Sequence, residues 1–140
     1  MSQNFQGALR LFLLANPQVF ALVGSNVFET PAPQAGNDPY VTIHQVSSVE
    51  LNHIANPDQI VDERYQFDIY TLNYDQGESI YEAIRNALHF QNAVSFDSWY
   101  VYSILRQGRN VTHEPIRDAS EDIYHRISVD FMIRRNLNPS

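Results

Sequence analysis

At 140 residues, with 44% apolar and 12% aromatic side chains, the chain is long enough to bury a core unaided and too apolar to stay disordered. Cysteine is absent, which removes disulfides and thiolate chemistry, and no run approaches the roughly 18 apolar residues of a membrane helix. The net charge is −7 and every basic side chain is Arg, with no clustered positive surface of the kind that grips DNA from outside.

Phe5, Ala8, Leu9, Phe12 and Leu13 recur at helical spacing and predict an amphipathic helix over 4–15. Met1-Ser2-Gln3-Asn4 carries no basic segment of a secretory signal. At Asn16-Pro17 a cap and a first-turn proline restart the chain as a short helix over 17–23, with Val19, Phe20 and Val23 inward and Gly24 as its stop. Val27-Phe28 reads as a short edge strand. A Pro-rich connector from Thr30 to Pro39 then opens into a strand over 40–47.

The next strand, 64–72, sets Tyr65, Phe67 and Ile69 on one face and Arg64, Gln66 and Asp68 on the other. Asn73 to Gly77 is turn chemistry. A helix over 77–91 follows, with Ile80, Ala83, Ile84, Ala87 and Leu88 inside an arc of about 140°. From 99 onward both faces of a strand are apolar, Trp99, Val101, Ser103 and Leu105 alternating with Tyr100, Tyr102 and Ile104, which predicts a central position. Gly108-Arg109-Asn110 reads as a turn, and Pro115 discourages regular pairing after it. In the last strand, 123–134, Ile123, His125, Ile127, Val129, Phe131 and Ile133 share one face, with Arg126, Ser128, Asp130 and Arg134 on the other. Helices first, then strands separated by one helix, define an α+β fold. The expected form is a single domain over 1–140, an antiparallel sheet of about four strands with the N-terminal helices and the mid-chain helix packed on one face.

The connection 48–63 is far longer than a hairpin needs. Its Val49, Leu51, Ile54, Ile60 and Val61 are costly to leave in water, and Asn56-Pro57-Asp58 supplies a turn near its middle. The two flanking strands therefore extend into a long hairpin arm, with those five residues buried against another subunit or a partner, or else folded back over their own sheet.

No catalytic group emerges. The five His form no i, i+4 pair, and thiolates are lacking, so no metal site is expected. Asp118, Glu121 and Asp122 read as a solvated, capped turn without the glycine and spacing of a calcium loop. Gly24-Ser25 and Gly77-Glu78 match neither a phosphate loop nor a dinucleotide fingerprint, so no cofactor is implied. Trp99, Tyr100 and Tyr102 lack neighbouring cations and read as core and contact surface.

Three stretches carry a family resemblance: Asp38-Pro39-Tyr40-Val41-Thr42-Ile43, Phe67-Asp68-Ile69-Tyr70 leading into Ile80 through Leu88, and Tyr124 through Phe131. In this order they resemble the tail completion (tail terminator) proteins of long-tailed bacteriophages. The resemblance implies a structural virion protein and no enzyme. It implies a hexameric ring that caps the tail tube, meets a head-side connector or stopper protein, and lets DNA pass through its centre as a non-specific substrate. It also implies a place at the head-proximal end of the tail, reached from the host cytoplasm during assembly. Positions 51–97 hold eight acids against two Arg. On this reading Asp58, Asp62 and Glu63 face the channel, where like charge keeps DNA from sticking. The alternatives are acids that solvate the outer rim, another head–tail connector or minor tail component, and a small-ligand binding domain.

Overall fold

The computed structural model describes residues 4–29, 39–53, 56–89, 92–96, 99–115 and 123–136, with backbone alone at 51–53, 56–59, 92–94, 113–115 and 123–124. These residues form α1 (Phe5–Leu14), α2 (Pro17–Val23), β1 (Val27–Phe28), β2 (Tyr40–His53), β3 (Asn56–Thr71), α3 (Tyr74–Leu88), β4 (Asn92–Phe96), β5 (Trp99–Pro115) and β6 (Ile123–Asn136). The connector 30–38 falls outside them.

The sheet has six strands in the order β1-β2-β3-β6-β5-β4, antiparallel except for the parallel pair β1–β2. Four long strands make its body, as the sequence predicts. The two short ones are additions at the edges: Val27-Phe28 was legible, whereas β4 carried no signal that separated it from a loop. All three helices lie on one face of the sheet. Asn4 caps α1 by accepting the N–H of Gly7 at 2.7 Å, and Asn16 caps α2 by accepting those of Gln18 and Val19. Gly24 ends α2 at φ 60°, a left-handed conformation that favours glycine.

The core lies between this face and the helices. Phe5, Leu9 and Leu13 of α1 and Ile80, Ile84 and Leu88 of α3 cover Val41, Ile43, Phe67, Ile69, Val129 and Phe131, all buried. Each such side chain contributes about 1.5–3 kcal/mol. Phe20, expected inward, is 52% exposed. The short α2 seats only the i, i+4 pair Val19 and Val23, and Phe20 lies a third of a turn away from that stripe.

Three local readings change. Helix α3 begins at Tyr74 and ends at Leu88, so Asn73 is its cap, accepting the N–H of Gln76 at 3.2 Å, and Asp75 to Gly77 are helical. Gly77 is a packing glycine: a Cβ there would meet Thr71 Cγ2 at 2.8 Å and Ile127 Cδ1 at 3.2 Å. Gly108-Arg109-Asn110 is no turn, because β5 runs on to Pro115 with a register shift between Arg106 and Gly108, and Val111 still packs on the core opposite Ile127. A second shift, between Val101 and Ser103, changes the phase of β5. Trp99, Val101 and Ile104 consequently share the buried face, while Tyr100, Tyr102 and Leu105 are exposed.

Candidate assembly surface

β2 and β3 extend as the sequence predicts for the arm, pairing from Tyr40↔Tyr70 to His53↔Asn56. The outer side of β2 is covered only at its start. β1 pairs with Val41 and Thr42, the Val41 N–H donates to the Asn26 carbonyl at 2.9 Å, and Gln6 Nε2 donates to the Ile43 carbonyl at 2.6 Å. From Ser47 to His53 no described strand pairs with that side. Val46, just before this stretch, and Val49 within it are 48% and 59% exposed. A strand edge of this length with exposed valines and a single acid, Glu50, lacks the usual protections against adding a further strand.

Of the expected contact residues, Val49 is exposed and Ile60 half-buried, both on the sheet face away from the helices, where Val49 pairs with Asp62. Leu51 pairs with Ile60 through its backbone, and Ile54 lies outside the described residues. Val61 is different: it is fully buried on the helix-covered face, so it belongs to the chain's own core.

The three expected channel acids separate in the same way. Asp58 is described by its backbone only. Asp62 is half-buried on the open face, where its two oxygens accept from Arg134 Nε at 2.7 Å and Nη2 at 2.9 Å, a fork-to-fork pair. Glu63 is 4% exposed and faces inward. Its carboxylate accepts from Arg135 Nε at 2.8 Å and from the Tyr65 hydroxyl at 2.8 Å, and the Arg135 guanidinium lies 4.8 Å from the ring centres of both Phe5 and Trp99. Strand alternation dictates this split, since neighbours along β3 face opposite ways. Glu63 therefore cannot line a channel.

Burial, and next the Glu63 carboxylate, raise the Tyr65 phenol well above its ordinary value of 10.0. The folded protein thus holds this proton more tightly than the unfolded chain. The contribution is fully present below about pH 10 and is lost as pH rises beyond it. Chemical denaturation of the wild type and of Tyr65→Phe between pH 8 and 11 is expected to show a smaller alkaline loss in the variant.

The open face carries a second buried carboxylate that sequence reading missed. Asp68, 3% exposed, accepts from Ser128 Oγ at 2.6 Å, Gln66 Nε2 at 2.7 Å and Arg126 Nη2 at 3.3 Å, with His44 Nδ1 3.9 Å away. The available signal was its pairing across the sheet with Ser128 and Thr42, which needs the register and not the alternation alone. A serine, an aspartate and a histidine meet here, but the aspartate stands between the other two. The imidazole is thus not placed to take the serine proton, as a catalytic triad requires. Beside them lies a shallow polar groove of about 420 Å³ bordered by Gln66, Gly108, Arg126 and Asp130. Among the described residues no three metal-ligating side chains cluster, and no helix is long and apolar enough to cross a membrane.

The described residues form a one-sided α+β layer with an open polar sheet face and a strand edge that no described strand covers, the kind of surface on which proteins meet. Its sequence matches the family of Tail completion protein gp17 over residues 7–135, and the chain belongs to that family. It is a structural protein of the phage tail by that membership. No curated protein matches it. Among solved structures, a chain from the virion of a native gene transfer agent particle shares the fold at a TM-score of 0.68 and 16% identity, over 94% of this chain and 93% of that one.

Proposed function

We propose that the chain forms a ring, of six copies by the family resemblance, that caps the finished tail tube and presents its other end to a head-side connector or stopper protein. DNA passes through the centre without sequence-specific contact. The observation that carries this reading is the family match across nearly the whole fold. In the particle the ring sits at the head-proximal end of the tail, having been assembled in the host cytoplasm. The helix-free sheet face turns toward the channel. Asp62 and Asp68 are there balanced by Arg134 and Arg126, so the wall is polar without a basic stripe to retain the passing duplex. Asp58 extends that wall, and Val49, Leu51, Ile54 and Ile60 make contact with a neighbouring subunit or the tube.

Light scattering at high protein concentration, with and without the tube protein of the same particle, tests this reading. A discrete ring mass is expected in at least one condition, and a monomer in both would overturn it. Hydrogen exchange adds a local check: amides of 48–53 are expected to exchange at least tenfold more slowly in the assembled protein than in the free subunit.

A further inference from the structure

We propose that copies of this chain join edge to edge. The outer side of β2 from Ser47 to Leu51 pairs antiparallel with the outer side of β5 from Gly108 to Thr112 of the next copy, so that the sheet continues from subunit to subunit. This rests on the ring reading above and names the contact that closes it.

Both edges are free among the described residues. At one end of the sheet β1 stops at Thr42 and Gln6 closes the Ile43 carbonyl, leaving Ser47 onward uncovered. At the other, β4 pairs with β5 only between Trp99 and Ser103, and His89 Nδ1 accepts the Arg106 N–H at 3.1 Å, leaving Gly108 onward uncovered.

The ladders fix where these edges point. The Val41 N–H and Ile43 carbonyl are directed away from β3. Carrying the antiparallel alternation through the shift between Gln45 and Ser47 turns the backbone groups of Ser48 and Glu50 outward. On β5 the Arg106 N–H points away from β6, and the shift before Gly108 turns Arg109 and Val111 outward. Ser48 and Glu50 lie opposite Glu63 and Val61, and Arg109 and Val111 lie opposite Val129 and Ile127. All four of those partners belong to the helix-covered face. β2 and β5 are the first and last of four long strands, an even number, so they run in opposite senses and carry their outward groups on the same face. A rotation about an axis along the strands preserves both properties. It brings donors to acceptors and keeps every helix on one side. Three or five long strands would set the two edges parallel instead.

Charge favours unlike edges. The inner strands balance their own charges, Asp62 with Arg134, Glu63 with Arg135 and Asp68 with Arg126, which leaves Glu50 on the β2 edge and Arg109 on the β5 edge to decide. Joining β2 to β2 would set Glu50 near Glu50. Joining β2 to β5 sets it instead beside Arg109, a cation that its own copy holds against Glu78 and over the Tyr81 ring, so no like charges meet in a head-to-tail contact that closes into a ring. That register displaces the neighbour by about six residues, roughly 20 Å, across four strand spacings of about 19 Å in all. The resulting tilt of about 45° is ordinary for closed sheets.

The sequence has no cysteine, so a pair can be introduced without background. Val49→Cys and Asn110→Cys place thiols at exposed positions, three strand spacings (about 14 Å) or more apart within one copy and so beyond bonding reach there. Mild oxidation of the assembled double variant is expected to give a ladder of covalent multimers on denaturing gels, with each single variant remaining monomeric. Moving the second cysteine to Gly108 or Thr112 samples adjacent registers on the same face. Covalent dimers from Val49→Cys alone would show β2 against β2 and overturn the proposal. Rings with no disulfide at 108, 110 or 112 would overturn the edge pairing and leave the ring standing. A wild-type protein monomeric under all conditions would overturn the ring, and the pairing with it. Ser48→Pro removes an outward N–H that no described group accepts, which an edge strand tolerates. It is expected to keep the monomer's circular dichroism and lose ring formation at least tenfold, and unchanged assembly would count against the pairing.

Discussion

Replacing Arg135 with Ala is expected to remove about 3–5 kcal/mol of folding stability, because it strands the Glu63 carboxylate inside the protein without its cation. Arg135 is 7% exposed and Glu63 4%. The same guanidinium fills the space between Phe5 and Trp99, so truncation also loosens α1 where it meets the start of β5. Urea denaturation measures the effect as a lower midpoint at unchanged slope. Replacing both partners, Glu63→Gln with Arg135→Met, is expected to recover much of the loss, since an uncompensated charge costs more than an absent pair. A single variant within about 1 kcal/mol of the wild type would mean that water reaches Glu63.

Phe67→Ala is expected to cost about 3–5 kcal/mol. Phe67 is fully buried at the centre of β3, with hydrogen-bonded strands on both sides and the Phe131 ring edge-on at 5.4 Å. Neighbours held by two ladders cannot collapse into the vacated volume. Val49→Ala gives the contrast. An exposed position on the arm should shift monomer stability by no more than about 0.5 kcal/mol while weakening assembly, a separation that denaturation and light scattering read independently.

Periodicity made the long elements legible. Leu9 and Leu13, Ile80 and Ile84, and the alternation of Tyr65, Phe67 and Ile69 each report a buried stripe whose spacing depends on local geometry alone. The extended arm was legible for a related reason, since Val49 and Ile60 continue their strands, but the turn expected at Asn56-Pro57-Asp58 is not one: these residues belong to β3, with Asn56 already paired to His53. What failed depended on interruptions. The shift at Val101/Ser103 puts Ile104 where alternation places Leu105, and the shift at Arg106/Gly108 lets a turn-like tripeptide stay in a strand. Charges misled where alternation was not applied to them. Asp62 and Glu63 form one acidic run in the sequence, whereas adjacent strand residues cannot share a face. The Asp68 cluster was hidden because its partners come from β6, 58 and 60 residues away.

The aromatic wedge around Arg135 has a spectroscopic consequence. Trp99 is the single tryptophan, 8% exposed, with the Phe5 ring 5.9 Å away and a guanidinium over its own ring. Intrinsic emission from this chain therefore reports one event, the seating of the first helix against the start of β5 and the end of β6. The β2 edge lies beyond β6 and β3, on the far side of the sheet from that indole, and the β5 edge proposed to receive it begins at Gly108, roughly 30 Å along the strand from Trp99. Subunits should thus be able to associate through β2 while the fluorescence spectrum stays constant, and any red shift during assembly would signal a subunit coming apart at its helix.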